Sequence, residues 1–251
     1  MFNAIAVRIS QGKQYIPDPR QAQPTGLRGA PLISAVDCGV GCSACLAVCP
    51  TDAIALTPLR IDLGRCVLCG DCAPACPSQK IGFSANYRIA GTERAGLVLS
   101  ASHPAPDPVQ VSAALRQRFG RSLKLRSVSA GGCNGCELEI NALSNVNFDL
   151  GRYGIDIVAS PRHADALVLS GPITRNMQDA LQQCWDAMPE PRFLIAVGAC
   201  AISGGAFADS PALDRGFLDR VVPTLYVPGC PAHPLSFVCG ILDLLGIASD
   251  R

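Results

Sequence analysis

Residues 66–77 read Cys66-Val67-Leu68-Cys69-Gly70-Asp71-Cys72-Ala73-Pro74-Ala75-Cys76-Pro77. The spacing C-x2-C-x2-C-x3-C-P is that of the bacterial [4Fe–4S] run. Three closely spaced thiolates can wrap one face of a cube. The fourth, followed by proline, points away and serves a second cube. Upstream lies a related copy, Cys38-x3-Cys42-x2-Cys45-x3-Cys49-Pro50, with one extra residue between its first two cysteines. Gly39 and Gly41 flank that insertion, so the backbone can bulge and keep Cys38 in reach. The crosswise rule assigns Cys38, Cys42, Cys45 and Cys76 to one cluster and Cys66, Cys69, Cys72 and Cys49 to another. Zinc is the competing reading of paired cysteines, but it takes four ligands and leaves the x3-Cys-Pro tails without a role.

The surrounding composition fits this reading. The chain has 251 residues and fourteen cysteines, eight of them in residues 1–83 and six in residues 123–251. Disulfide scaffolds are short and secreted. Here Arg8 interrupts Ile5-Ala6-Val7, so no secretory signal is expected, and the thiols are expected to be reduced and bound to metal. Net charge is +1 and aromatics make up 5%, which gives no electrostatic footprint and no stacking platform for nucleic acid. Hydrophobic residues reach 49%, enough for a packed core. The longest uncharged stretch, 221–242, is interrupted by Pro223, Pro228, Pro231 and Pro234. It reads as strand, turn and helix rather than a membrane span.

From residue 123 the texture changes. Strand-like runs at 123–128, 155–160, 166–171, 192–198 and 224–229 alternate with helical patterns at 136–146, 174–188 and 235–246. A parallel, doubly wound, flavodoxin-like α/β sheet is expected. Cys133-Asn134-Gly135-Cys136, Cys200 and Cys230 each follow a strand. In an open parallel sheet those carboxyl ends converge on the ligand crevice, so four thiolates from three loops could hold a third [4Fe–4S] cluster. Cys184 and Cys239 fall inside helices and read as core packing. The division expected is an α+β ferredoxin-like part over 1–99, a linker and short helix over 100–122, and the sheet part over 123–251. The proline-rich stretch 100–108 suggests that few contacts cross between the parts.

The first cysteine zone resembles two-cluster ferredoxins over about residues 31–83. The stretch 28–31, RGAP, resembles the ferredoxin subunit of formate hydrogenlyase. The segments GGCNGCELEI (131–140), SPRHADALVLSGPITRNM (160–177), GACAISGGAF (198–207) and VPGCP (227–231) resemble the small, cluster-bearing subunit of energy-converting [NiFe] hydrogenases of the formate hydrogenlyase type. That family is related to the cluster subunit of complex I. The Cys133-x2-Cys136 spacing is the hydrogenase one, whereas complex I subunits usually have adjacent cysteines there. The resemblance implies that Cys133, Cys136, Cys200 and Cys230 hold the proximal cluster. It implies three [4Fe–4S] clusters that relay electrons, for H2 evolution or oxidation, to or from a Ni–Fe site on a large partner subunit, since the catalytic site is not in this chain.

Further partners implied are complex I-like membrane subunits, with formate dehydrogenase or a soluble carrier as electron partner. The implied location is the cytoplasmic face of the inner membrane, reached through partners. The alternative is a complex I-like quinone or ferredoxin oxidoreductase without nickel. Among other residues, Glu139 is a candidate proton relay, with Glu137 weaker. A helix N-terminus carrying acidic groups is the plain alternative. Arg162 and His163 could face a partner or solvent. His233 could hydrogen-bond the third cluster. The basic run 116–126 reads as a solvated helix face and strand entry. The SGG at 203–205 lacks the Lys-Ser/Thr of a phosphate loop.

Overall fold

The computed structural model describes residues 2–12 and 14–248. The outer bounds expected at 1 and 251 lie outside the described residues. Helix α1 (Phe2–Gln11) precedes strand β1 (Pro31–Ile33), which pairs antiparallel with β4 (Ile81–Phe83). Between them lie α2 (Ala44–Ala47), β2 (Ile54–Ala55), β3 (Arg60–Asp62) and α3 (Cys72–Ala75). Strand β5 (Val98–Ser100) completes a second antiparallel sheet, β2-β3-β5. The cysteine zone is thus α+β, with its two short helices each holding a buried cysteine, Cys45 and Cys72.

Helix α4 (Ala113–Phe119) is capped by Ser112, whose Oγ accepts from the Leu115 amide at 3.3 Å. Next come β6 (Leu123–Ser129), α5 (Gly135–Ala142), β7 (Ile155–Ile157), β8 (Ala166–Ser170) and α6 (Arg175–Asp186). Strand β9 (Phe193–Val197), α7 (Gly198–Ser203), α8 (Gly216–Arg220), β10 (Leu225–Val227) and α9 (Pro234–Leu244) follow. The five strands form one parallel sheet in the order β10-β9-β8-β6-β7. Numbered from β6, that order is 5-4-3-1-2, the flavodoxin-like winding. Strands β8 and β9 are buried at every residue, as expected of parallel strands covered on both faces. The winding reverses between β6 and β8, so the crevice opens beyond their carboxyl ends.

Two local expectations change. The helix expected over 136–146 ends at Ala142. Ser144 Oγ donates to the Asn141 carbonyl at 2.9 Å, offering the backbone an alternative to a further turn. The strand expected over 155–160 keeps only three residues.

The expectation that few contacts cross 100–108 is corrected. One apolar core includes Ile61, Leu63, Leu97 and Leu99 from the cysteine zone together with Leu167, Leu169, Leu194 and Ile202 from the sheet zone. Gly91 and Tyr226 exchange backbone hydrogen bonds of 3.0 and 2.9 Å. The 100–108 stretch itself is tied down: Ser100 and His103 pair across a tight turn, and the Asp107 amide donates to Gly96 O at 3.1 Å. The N-terminal arm also grips the sheet zone. Arg20 reaches Asp243 at 2.8 Å and Ile247 O at 2.9 Å, and the Ile16 amide reaches Asn147 O at 2.9 Å. Residues 14–27 and 84–112 therefore act as straps, because the apolar faces of both parts are covered by each other.

A shared core has a measurable consequence. Leu97 is fully buried, and Leu97→Ala should cost roughly 2–5 kcal/mol. Trp185 is the sole tryptophan and sits in the sheet zone on α6. Its fluorescence midpoint in a denaturant titration should fall with Leu97→Ala; an unmoved Trp185 midpoint contradicts one shared core.

Candidate functional site

The two N-terminal cysteine loops are built alike. The residue before the second cysteine has a left-handed φ in both, +70° at Gly41 and +55° at Leu68. In the upper copy the extra residue, Val40, projects wholly into solvent, so the insertion bulges outward. After each Cys-Pro, the third residue past the cysteine is again left-handed, Asp52 at +50° and Gln79 at +48°. That turn aims the next amide back at the sulfur. Ala53 N–H donates to Cys49 Sγ at 3.3 Å and Lys80 N–H to Cys76 Sγ at 3.3 Å. Leu68 N–H donates to Cys66 Sγ at 3.4 Å.

The chain brings the thiols together crosswise. Cys45 lies within electrostatic reach of Cys76 and Cys38, and Cys66 within reach of Cys72, Cys49 and Cys69. Burial, reinforced by these neighbouring thiols, pushes Cys66 up to about 12 and Cys72 up to about 11. Such thiols stay protonated unless a cation compensates the thiolates. A cationic iron–sulfur core fits this donor set: thiols that need a positive charge, with amides already aimed at three of the sulfurs.

The third set forms at the sheet's reversal point. Cys133 and Cys136 bracket Asn134, which takes a left-handed φ of +70° to turn β6 into α5. Cys200 lies in α7, directly after β9, and Cys230 follows Gly229 after β10. Cys136 lies near Cys200 and Cys230, Cys200 near Cys230 and Cys133, and Cys230 near Cys133. Burial pushes Cys136 up to about 12 and Cys200 up to about 11. Two glycines leave the room this needs. A Cβ on Gly198, which has φ +87°, would sit 2.5 Å from Cys136 Sγ, and one on Gly205 would sit 3.0 Å from Cys200 Sγ. All fourteen cysteines are free. Among the described residues, no three His, Cys, Asp or Glu side chains lie close enough to hold a single metal ion.

The remaining candidates separate. Ser170 Oγ hydrogen-bonds Glu137 Oε1 at 2.8 Å. Burial pushes the Glu137 carboxyl up, but bonds from Ser129, Ser170 and its own amide outweigh that and hold it below its usual range. Glu139 is raised by burial and lines a cavity of about 230 Å3 shared with Arg28, Val67, Leu68, Cys230 and His233. His233 Nδ1 accepts from the Leu235 amide at 3.1 Å and so caps α9. Cys239 is buried and its Sγ donates to Pro19 O at 3.3 Å, while Cys184 packs half-buried against the core. Arg162 and His163 are exposed in a turn.

Two arginines were not legible as functional. Arg28 donates through Nη1 to Leu68 O at 3.0 Å and to Cys69 O, and lies over Phe83. Arg215 donates to Cys200 O at 2.9 Å and Ala201 O at 2.8 Å. Both act on backbone carbonyls, which leave no mark in a motif.

The family model for the NADH ubiquinone oxidoreductase 20 Kd subunit matches residues 133–244, and that for a 4Fe-4S dicluster domain matches residues 37–80. Formate hydrogenlyase subunit 7 of Escherichia coli (strain K12) is 40% identical over 142 residues, covering 56% of this chain and 55% of that protein. The probable membrane-bound hydrogenase subunit mbhJ of Pyrococcus furiosus is 38% identical over 125 residues, 49% of this chain and 74% of its own length. An NADH-quinone oxidoreductase subunit of Heliobacterium modesticaldum is 42% identical over 111 residues, 43% of this chain and 63% of its own length. The chain thus spans just over half of the formate hydrogenlyase subunit.

The glycine beside Cys136 gives a direct check. Gly198→Ala combines a positive φ with a 2.5 Å contact and should cost on the order of 1–3 kcal/mol. Gly82→Ala, with nothing within 4 Å of the added carbon, should be close to neutral. Paired denaturant titrations compare them; equal effects contradict the tight packing at Cys136.

Proposed function

This chain belongs to the family of the NADH ubiquinone oxidoreductase 20 Kd subunit, with a 4Fe-4S dicluster domain ahead of it, and on that premise we propose that it relays electrons within a membrane-associated [NiFe] hydrogenase. It is an iron–sulfur oxidoreductase subunit of the hydrogenase or complex I-like kind. Nickel in the partner is the finer reading. The observation that carries the proposal is the meeting of four thiols at the sheet's reversal point, behind two crosswise sets in the dicluster part.

Three [4Fe–4S] clusters are proposed. Cys38, Cys42, Cys45 and Cys76 would hold the first, Cys66, Cys69, Cys72 and Cys49 the second, and Cys133, Cys136, Cys200 and Cys230 the third. When bound, such clusters supply reversible one-electron transfer. The chain's own residues do the rest. Thiolates fix the sites, the amides of Ala53, Leu68 and Lys80 stabilise negative charge on the sulfurs, and Arg28 clamps the Cys66–Cys69 loop by its carbonyls. That loop and Cys230 line one cavity, so the second set neighbours the third. Exposed Val36 and Val40 flank the first set, which forms the outer end.

The proposed division is a ferredoxin-like part over 1–99 and a sheet part over 123–251, joined by the strap at 100–122. Exposed Cys133, Cys230 and Leu138 mark the face offered to a large subunit that would carry the Ni–Fe site. Among the described residues no helix is long and apolar enough to cross a membrane. Attachment at the cytoplasmic face through complex I-like membrane subunits, and formate dehydrogenase or a soluble carrier as electron partner, belong to the same proposal. The Cys133-x2-Cys136 spacing and the formate hydrogenlyase relative favour hydrogenase. The NADH-quinone oxidoreductase relative keeps a nickel-free complex as the second reading. Glu139 remains the candidate proton relay on its cavity placement.

In the assembled complex, Cys200→Ser should abolish H2 turnover and remove about four iron atoms per chain, while the two N-terminal clusters stay visible by EPR. Cys239→Ser should leave iron and turnover near wild type, since a hydroxyl can replace the thiol's bond to Pro19 O. The reverse pattern contradicts the ligand assignment. Nickel in the co-purified large subunit is expected, and its absence from an active complex favours the nickel-free reading.

A further inference from the structure

The guanidinium of Arg215 stands where no carboxylate pairs with it. It is half-buried beside α7. Its Nη1 donates to Pro172 O at 3.1 Å and to Cys200 O at 2.9 Å, and its Nη2 donates to Ala201 O at 2.8 Å. All three acceptors are neutral carbonyls. Asp214 lies next in sequence, but its Oδ1 takes the Gly216 amide at 3.0 Å. Asp219 is near enough to influence Arg215 electrostatically. None of the ion pairs among the described residues includes Arg215. The other side chain that its charge influences is Cys200, one of four thiols that meet at the strand ends.

A partly desolvated cation held only by carbonyls is under-compensated, because dipoles replace hydration but supply no opposite charge. Hydrogen bonding alone would not select arginine here, since neutral donors can also satisfy carbonyls. The four thiols nearby become an anionic assembly once iron removes their protons. We propose that Arg215 is the counter-cation of the third cluster, a positioning residue that holds the Cys200 turn by its carbonyls and raises the reduction potential of the site. The inference rests on the proposed ligand set Cys133, Cys136, Cys200 and Cys230. One-electron reduction makes a thiolate-bound cluster more negative, so a fixed positive charge nearby favours the reduced form. The cations beside the N-terminal sets are placed differently. Arg28 lies on the carbonyls of the Cys66 loop at an exposed site, where water screens its charge. Lys80 donates through Nζ to Val36 O beside an open cavity lined by Cys38 and Cys42.

The test uses the full chain, loaded with iron and sulfide anaerobically, and an EPR-monitored redox titration of wild type, Arg215→Gln and Arg215→Lys. Arg215→Gln keeps a hydrogen-bond donor but no charge. Its third cluster should titrate at a more negative potential than in wild type, with the two N-terminal midpoints unmoved. Arg215→Lys keeps the charge and loses the fork, and should keep full iron and a midpoint close to wild type. An unshifted midpoint in an iron-replete Arg215→Gln overturns the proposal. So does an Arg215→Lys whose midpoint shifts as far as that of Arg215→Gln, because the fork's bonds would then be what matters. If Arg215→Gln fails to retain the cluster, Arg215→Lys decides. Full iron and a wild-type midpoint support the proposal, and loss of the cluster there overturns it. Failure of the underlying ligand set reads differently: wild type itself would then lack about four iron atoms.

Discussion

Four sulfurs can surround one inorganic cube only if the backbone that carries them yields, and the proposed ligand sets account for a group of left-handed turns in this protein. The left-handed residues Gly41, Asp52, Leu68, Gln79 and Asn134 all lie next to cysteines or to the Cys-Pro tails. Each turns the chain so that a thiol or an amide faces inward. Gly198 leaves the space into which Cys136 Sγ fits. Thr57, Asp149 and Ile173 are left-handed as well and lie apart from these turns; the rest is short antiparallel strands in the first part and a five-stranded parallel sheet in the second. The scaffold's task is to bring separate loops to common points. The flavodoxin-like order does this for the third set by ending β6, β9 and β10 at one edge of the sheet.

The same demand explains why the two parts are packed as one body. A relay works over short gaps, so the Cys66 loop has to stay close to Cys230. The fold secures that closeness in several independent ways. Leu97 and Leu99 share a core with Leu167 and Leu169, Gly91 pairs with Tyr226, and Arg20 crosses to Asp243. Burial of this many apolar side chains outweighs any single polar contact at the boundary, at about 25 cal/mol per Å2 of apolar surface. The ion pairs Arg20–Asp243 and Arg88–Asp243 fix register more than they stabilise, since partly exposed pairs contribute about 0–1 kcal/mol.

Much of this was legible before the fold was known. The x2-x2-x3-Pro spacing of Cys66 to Pro77 marked a dicluster region because thiolate spacing answers directly to the shape of the cube. The runs at 166–171 and 192–198 read as strands of a parallel sheet because short apolar runs there alternate with helical patterns. What escaped was whatever depends on contacts distant in sequence. Proline at 104, 106 and 108 suggested a free linker, yet these residues form a strap, since proline limits local conformation and says nothing about what covers it. At the end of α5 the backbone tightens into i→i−3 bonds from Leu143, Ser144 and Asn145, with the Ser144 hydroxyl on Asn141 O, which periodicity does not mark. His233 uses its Nδ1 to cap α9, a role its place after Cys230 did not announce. Arg28 and Arg215 bond to carbonyls, which every residue possesses, so no spacing rule could reveal them.

The central claim is that three four-cysteine sets each hold a cubane. It is tested most directly on the wild-type chain, purified and loaded anaerobically, by metal and acid-labile sulfide analysis together with Mössbauer spectroscopy. The account predicts about twelve iron atoms and as many sulfides per chain, all in [4Fe–4S] form. Iron near eight per chain would remove one of the sets, and zinc in place of iron would contradict the account altogether.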